Sequence, residues 1–149
     1  MSGWLLDTNV IAEVRGERAD PRVLAWIAAQ PEEVLFLSIL TFGEYRKGIE
    51  HLPVGDVRRP LLEGTIRAME ERFAGRILPV SDAVALRWGA ISGATKRLTG
   101  HSPSVVDTLL AATAIEHRLY LATRNEAHVK HSGAIVFNPW KDDPARFPV

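Results

Sequence analysis

Short apolar runs separated by helical patterns constrain the fold of this chain more than any other feature of its sequence. These runs occupy residues 3–6, 34–39, 119–122 and 134–137. They are typical of strands buried in a parallel sheet. Strands that alternate with helices predict right-handed βαβ units. We therefore expect an α/β fold in which a central parallel β-sheet is flanked by helices on both faces, with ligands bound beyond the carboxyl ends of the strands.

Two of the intervening helices have recognisable first residues. Asp20 followed by Pro21 predicts an N-cap with proline at the first helical position. The predicted apolar face of this helix holds Val23, Leu24, Ile27 and Ala28. Ser81 predicts the start of a second helix, which ends near Gly100. The predicted apolar residues of this second helix are Val84, Leu86, Trp88 and Ile91.

The composition fits one domain over residues 1–149, because a chain of 149 residues with 46% hydrophobic residues can bury a continuous core. The absence of cysteine excludes disulfides, a thiolate metal site and a thiol nucleophile. The first apolar stretch has no basic region before it, unlike a signal peptide. No run approaches the roughly 20 apolar residues of a membrane span. A cytoplasmic protein without membrane contact is expected.

Net charge gives no support for general attraction to nucleic acid. The chain has 18 Lys and Arg residues against 18 Asp and Glu residues, so any RNA affinity must come from local patches. The candidate patches are the pairs Arg46–Lys47, Arg58–Arg59 and Lys96–Arg97. Solvated helix faces commonly carry such pairs as well.

Three carboxylates occupy positions that apolar burial alone would not choose. Asp7 follows the first strand, Glu44 follows the second, and Asp107 lies at the start of an apolar helix. In a parallel sheet, strand ends and helix starts share one edge, so these acids can converge in one pocket. Close carboxylates raise one another's pKa unless a cation lies between them. Hard oxygen ligands of this kind suit Mg²⁺ or Mn²⁺.

Each of these acids also has a purely structural explanation. Thr41 and Glu44 fit a helix capping box, and Ser104 with Asp107 gives a weaker version of that pattern. Asp7 fits the N-cap of a helix that begins at the next residue, and it equally fits a metal ligand after a buried strand. Taken one at a time, the acids leave both explanations open, and only their joint pattern discriminates.

That joint pattern consists of four strings in a fixed order, LLDTNVIAE, SILTFGEYRKGIE, VVDTLLAATAIEHRLYLATRN and VFNPW. In order and spacing they resemble the motifs of PIN-domain nucleases, in particular the VapC and FitB-like toxins of type II toxin–antitoxin systems. The resemblance extends over nearly the whole chain. It implies a PIN-like fold, and it matches Asp7, Glu44 and Asp107 to the family's catalytic, metal-binding acids.

The resemblance also identifies polar residues around the acids. Asn9 and Thr123 match positions that support the pocket through hydrogen bonds, although Thr123 is equally an ordinary strand-end threonine. The family usually carries a fourth acid where this chain has Asn125. An amide oxygen can ligate a metal or orient a water but adds no charge, so a second metal ion is less secure than the first. The neighbouring Glu126 is a possible substitute.

The function implied by the resemblance is Mg²⁺- or Mn²⁺-dependent endoribonuclease activity on a structured RNA such as a transfer RNA or ribosomal RNA. A metal-activated water would attack the phosphodiester without a protein nucleophile. The implied partner is a VapB-like antitoxin, with operator DNA bound only through that antitoxin. A homodimer is also expected, with contact residues among Leu24, Trp26, Ile27, Phe42 and Trp88.

Two alternatives remain open from the sequence. A haloacid-dehalogenase-type phosphohydrolase also begins with a strand followed by Asp-x-Asp, but here the second acid is Asn9, and Lys141-Asp142-Asp143 lies in a polar tail. A degenerate PIN domain that binds RNA or a protein without cleavage is favoured by Asn125. His128 and His131 suggest a transition-metal site, but histidines in a polar loop are more often solvated.

Overall fold

Five parallel strands form one sheet at the centre of the molecule. The computed structural model describes residues 1–149. The strands are β1 (Trp4–Leu6), β2 (Leu35–Ser38), β3 (Ile77–Leu78), β4 (Tyr120–Ala122) and β5 (Val136–Phe137). Their order across the sheet is β3-β2-β1-β4-β5, and every neighbouring pair is parallel. The predicted α/β class with a central parallel sheet is confirmed.

Seven helices connect and cover these strands. They are α1 (Thr8–Arg15), α2 (Pro21–Ala28), α3 (Ile39–His51), α4 (Arg58–Arg72), α5 (Asp82–Thr99), α6 (Val105–Glu116) and α7 (Glu126–Val129). Short 3-10 helices occupy Glu32–Val34 and Pro144–Arg146. None of the helices has both the length and the apolarity needed to span a membrane.

The alternation of side chains along the short strands divides the core into two parts. Trp4 and Leu6 of β1 pack on one face with residues from α1, α2, α3 and α4. Leu5 packs on the other face against α6 and α7. Successive strand residues point to opposite faces of a sheet, so a three-residue strand that is buried throughout must be covered on both. Helices on both faces were predicted, and this is the arrangement observed.

The predicted helix starts are correct, whereas three of the predicted apolar positions, Leu24, Ala28 and Leu86, are exposed. Asp20 caps α2 by accepting from the backbone N of Arg22, and Ser81 caps α5 by accepting from the backbone N of Val84. Gly100 ends α5 with φ 80°, a left-handed conformation that glycine adopts without strain. The error concerns the faces. Leu24 is 38% exposed and Leu86 is 77% exposed, so neither belongs to the core.

The predicted capping box at Thr41 and Glu44 is wrong. Helix α3 begins three residues earlier than that pattern requires, and its N-cap is Ser38, whose hydroxyl accepts from the backbone N of Leu40 at 3.1 Å. Thr41 is completely buried inside the first turn. Glu44 is therefore an interior helix residue, and capping does not explain its position.

The strand order places a topological switch point between β1 and β4. From β1 the chain builds β2 and β3 on one side of the sheet, and then β4 and β5 on the other. The connections on the two sides diverge, so a crevice opens beyond the carboxyl ends of β1 and β4. Asp7 follows β1 directly, and Thr123 follows β4 directly.

Candidate active site

Asp7 caps helix α1 and also lies at the centre of a side-chain network. Its Oδ1 accepts a 2.6 Å hydrogen bond from the backbone N of Thr8. Its Oδ2 accepts from Thr123 Oγ1 at 2.7 Å and from Asn9 Nδ2 at 3.2 Å. The residue is only 5% exposed. Asp7 therefore satisfies the capping explanation while presenting a buried carboxylate at the switch point.

The network around Asp7 joins the β1 side of the crevice to the β4 side. Thr123 Oγ1 accepts from Asn9 Nδ2 at 3.2 Å and from the backbone N of Asn125 at 3.0 Å, which leaves the hydroxyl proton for Asp7. Asn9 Oδ1 accepts from the backbone N of Arg124 at 3.3 Å. Asn9 and Thr123 thus fix the orientation of the Asp7 carboxylate.

Glu44 reaches the same region from helix α3. Its Oε1 accepts a 2.9 Å hydrogen bond from Thr8 Oγ1. The same hydroxyl lies 3.0 Å from Thr41 Oγ1. Thr8 therefore contacts Asp7 through its backbone and Glu44 through its side chain, so one residue links two of the three predicted acids.

Asp107 lies in the first turn of helix α6. Its backbone N donates to the capping Ser104 Oγ at 3.4 Å, but its carboxylate does not return a bond to Ser104. Instead, Asp107 Oδ2 lies 2.9 Å from His128 Nδ1 of α7. The carboxylate is mostly shielded, with 15% of the side chain exposed. Only half of the capping pattern is present, because the acid is turned toward α7.

The pKa of Asp7 shows that the three acids share one electrostatic environment. It is raised above its ordinary value of 3.8, chiefly because burial removes the carboxylate from water. Hydrogen bonds from Thr123 and Thr8 oppose this effect, and the negative charges of Asp107 and Glu44 add to it. Neither Asp7 nor Glu44 forms an ion pair, and the only such partner of Asp107 is His128. The crevice therefore holds negative charge that the chain does not neutralise with lysine or arginine.

Comparison with known proteins identifies the family. The model of the PIN domain family matches residues 4–133. The chain is 37% identical over 138 residues to Toxin FitB of Neisseria gonorrhoeae, covering 93% of this chain and 99% of that protein. The chain belongs to the PIN-domain family, among the FitB- and VapC-like toxins. It is also 37% identical to VapC ribonuclease Y4jK of Sinorhizobium fredii, covering 92% of this chain and 97% of that protein.

Solved structures agree with this assignment. The crystal structure of FitAcB from Neisseria gonorrhoeae contains a chain with a TM-score of 0.81 and 36% identity, covering 92% of this PIN domain and 98% of that chain. The structure of FitAB bound to an IR36 DNA fragment gives a TM-score of 0.83 at 35% identity, covering 94% and 97%. Both TM-scores show that this chain has the fold of the matched chains. Membership of this family excludes the haloacid-dehalogenase alternative.

Asn125 and Glu126, the two residues considered for a fourth acidic position in this PIN domain, make different contacts. The Asn125 side chain is exposed and makes no capping hydrogen bond to α7. Glu126 Oε2 is bound by Asn138 Nδ2 at 2.9 Å and by Lys141 Nζ at 2.7 Å. These contacts lower the pKa of Glu126, with Lys141 the larger cause. Glu126 is therefore held by the C-terminal segment and does not substitute for the missing acid.

The donor chemistry of this site fits a hard divalent cation, although the side chains are not gathered as ligands of one ion. No three His, Asp or Glu side chains surround a common point in the way a bound metal requires. The acids instead bind Thr8, Thr123 and His128. The negative charge of the acids is what fits a divalent ion. Such an ion would relieve the repulsion and part of the burial cost that raise the pKa of Asp7.

Two residues that contact the acids were not anticipated from the sequence. Thr8 was noted only as the residue after Asp7, although it lies within LLDTN, the string that carries the family resemblance. His128 was interpreted as solvated, and it contacts Asp107 across 21 positions of the chain. No local pattern indicates that contact, because it depends on how α7 packs beside α6.

Proposed function

We propose that this PIN domain is a divalent-metal-dependent endoribonuclease and the toxin of a toxin–antitoxin pair. The observation that supports this most strongly is the buried carboxylate of Asp7, which has no cationic partner and lies close enough to Asp107 and Glu44 for their charges to raise its pKa. A buried charge without a partner is costly to the fold. The position of Asp7 at the switch point is consistent with binding of a cation from solution.

Asp7, Glu44 and Asp107 are the proposed ligands and catalytic acids. Asn9 and Thr123 hold the Asp7 carboxylate, and Thr8 holds that of Glu44. His128 contacts Asp107 through Oδ2 alone, so Oδ1 has no hydrogen-bond partner in the chain. When bound, Mg²⁺ or Mn²⁺ would lower the pKa of a water and stabilise negative charge on the phosphate. The proposed reaction is hydrolysis of an RNA phosphodiester to a 5′-phosphate and a 3′-hydroxyl, in a structured RNA such as a transfer RNA or ribosomal RNA.

A groove beside Glu44 is the proposed seat of a VapB-like antitoxin. The groove has a volume of about 620 Å³, within the range of protein ligand pockets. Its wall includes the apolar or aromatic residues Tyr45, Leu61 and Leu62, and also Thr8, Arg15 and Glu44. An antitoxin segment that carries apolar residues and an arginine or lysine would match the apolar part of this wall and the carboxylate of Glu44. By analogy with the DNA-bound FitAB complex, operator DNA would be bound through the antitoxin.

A homodimer is proposed as well, and three of the five expected contact residues remain candidates, since Leu24 is exposed and Ile27 and Trp88 are half-buried. Trp26 and Phe42 belong to the core and cannot form a contact patch. Helix α5 offers an alternative, since Leu86 is 77% and Leu98 is 70% exposed on its surface. Static light scattering at micromolar concentration should give twice the chain mass. A monomer mass would contradict the dimer without affecting the nuclease proposal.

Incubation of the purified protein with total RNA tests the nuclease proposal. Cleavage should require Mg²⁺ or Mn²⁺ and should stop with EDTA. Asp7→Asn should abolish it, while Asp56→Asn, which changes an acid paired with Arg58 on the surface, should not. Induced expression in a bacterial host should arrest growth, and Asp7→Asn should relieve the arrest. Normal growth with abundant wild-type protein would contradict the toxin assignment.

Asn125 supports one other function. If the charge lost at this position abolishes metal binding, the domain binds RNA or protein without cleaving it. RNA binding without cleavage at any Mg²⁺ or Mn²⁺ concentration would favour that function over the nuclease.

A further inference from the structure

A polar cavity lies beside the acidic crevice, on the far side of His128. It has a volume of about 380 Å³ and is enclosed by the C-terminal half of α5, the loop into α6, and α7 with the residues that follow it. The residues of interest in its lining are His101, Ser104, Thr108, His128, Lys130 and His131. Because His128 contacts Asp107 and also lines this cavity, the cavity and the crevice share a wall.

Several hydroxyl groups in the cavity wall are already used by the backbone. Thr99 donates to the carbonyl of Thr95, Thr108 to that of Ser104, and Ser132 to that of Val129. These bonds shape the cavity and leave the hydroxyl protons of Thr99, Thr108 and Ser132 unavailable to a ligand. The groups that remain are therefore found elsewhere in the wall.

Lys130 is the one lysine or arginine in the cavity wall, and it lies on the segment after α7. Lys130 forms no ion pair with any acid of the chain, and both Lys130 and His131 are exposed. The hydroxyl proton of Ser104 is also free, because Ser104 Oγ acts only as an acceptor for Asp107 N. An ammonium group, an imidazole and a hydroxyl are donors suited to phosphate oxygens. The wall contains no Phe, Tyr or Trp on which a base could stack.

We propose that this cavity binds the phosphate of an RNA nucleotide next to the scissile phosphate, with Lys130 and His131 as its principal contacts. This subsite rests on the proposed nuclease function and deepens it. A chain with equal numbers of basic and acidic residues cannot attract RNA by net charge. A strand whose scissile phosphate lies at Asp107 would pass His128, and the next phosphate would meet positive charge in the cavity. The subsite therefore offsets the repulsion between the acidic crevice and the RNA backbone.

The test is binding of a fluorescent single-stranded RNA oligonucleotide, measured by anisotropy in EDTA so that no cleavage occurs. The double variant Lys130→Ala/His131→Ala should weaken the Kd on the order of tenfold, and the salt dependence of binding should fall by about 0.7 in log–log slope for a lost phosphate contact. The matched control is Arg67→Ala, which removes one unpaired, exposed positive charge from α4. Its Kd should stay within about twofold of wild type. Equal effects of the two variants, or no RNA binding by the wild type, would overturn the subsite.

Cleavage with Mg²⁺ separates the subsite from the nuclease proposal. The double variant should raise KM for the oligonucleotide while leaving cleavage of a dinucleoside monophosphate, which has a single phosphate, unchanged. Equal losses on both substrates would overturn the subsite. If the wild type binds the oligonucleotide through Lys130 and His131 but cleaves neither substrate, the nuclease proposal fails and the binding site stands.

Discussion

Two sets of carboxylates in this molecule differ in whether a cation neutralises them. On the surface, Glu63 is bound by Arg46 at 2.6 Å, and Asp56 is bound by Arg58 at 2.7 Å. Hydrogen bonds from these arginines lower the pKa of Glu63 and bring that of Asp56 to about 2. In the crevice, Asp7 has no such partner and its pKa is raised. The chain thus pairs acids that could be left in water and leaves unpaired an acid that is buried.

The crevice therefore holds a buried carboxylate at a cost in folding stability. A buried carboxylate lowers the free energy of unfolding unless a cation is supplied. The chain has 18 basic residues, several of which pair with exposed acids where an ion pair contributes little. None of these basic residues pairs with Asp7, and a site for a cation from solution requires such an unpaired carboxylate.

The largest effect should come from removing charge in the crevice while keeping shape. Asp107→Asn and Asp7→Asn should each reduce RNA cleavage by about a thousandfold or more, because each removes a full negative charge from the proposed metal site. Asp56→Asn should leave the cleavage rate nearly unchanged. A time course on one RNA with all four proteins measures this. A similar loss in Asp56→Asn would mean that the contrast between the two sets has no functional meaning.

Asp7→Asn should also raise the thermal stability of the protein at neutral pH, by a few degrees in Tm. The folded-state pKa of Asp7 lies above its ordinary value of 3.8, so the protonated form favours folding and that advantage is lost as the pH rises through the folded-state pKa. The amide stays uncharged at every pH. The gain should therefore be present at pH 7 and absent below about pH 3.8, the ordinary value.

Mn²⁺ provides the control for this stability measurement. A cation that binds the folded state alone stabilises it by mass action, so Mn²⁺ should raise the Tm of the wild type more than that of Asp7→Asn. Melting curves with and without Mn²⁺ at pH 7 check both parts. A lower Tm for Asp7→Asn in EDTA would show that its hydrogen bonds to Thr8 and Thr123 outweigh the cost of the buried charge.

A smaller effect is expected at Asn125, which contributes only a dipole. Asn125→Ala should reduce cleavage on the order of tenfold if the amide orients a water. The substitution should not disturb helix α7, because the Asn125 side chain makes no capping hydrogen bond. Asn125→Asp should tighten Mn²⁺ binding in isothermal titration by restoring the family's fourth carboxylate. A loss in Asn125→Ala as large as that in Asp107→Asn would refute the three-acid site.

The sequence allowed the sheet and the position of Asp7 to be predicted, because buried parallel strands appear as apolar runs and their ends share an edge. It did not allow β3 to be predicted. This strand has two residues, both half-buried, at the edge of the sheet, and Pro79 follows it directly and interrupts the apolar stretch in which it lies. The start of α3 was misplaced because Ser38 and Thr41 are both good capping residues and only packing decides between them.

The contacts that sequence reasoning missed join distant parts of the chain. His128 meets Asp107 only because α7 packs beside α6, and Glu126 is drawn to Lys141 and Asn138 by the segment after β5. Such pairings depend on the relative placement of elements, which local periodicity does not encode. The position of Asp7 followed from the apolar run that it ends, whereas the side-chain partners of the three acids depend on how the helices and loops pack.

The smallest effect should come from the exposed pair of Arg46 and Glu63. Glu63→Gln should lower the Tm at pH 7 by no more than about 2 °C, because solvent screens the pair, and it should leave RNA cleavage unchanged.

Arg46 lowers the pKa of Glu63 below its ordinary value of 4.5, so the stability that this carboxylate contributes is present above that value and is lost as the pH falls through the folded-state pKa. Glu63→Gln should therefore lose its disadvantage in acid, and at neutral pH its effect should be opposite in sign to that of Asp7→Asn. Melting curves from pH 3 to pH 7 at low and high salt check this, since salt should shrink the Glu63 effect more than the buried Asp7 effect. The same sign for both variants at pH 7 would mean that cation pairing does not distinguish the two sets of carboxylates.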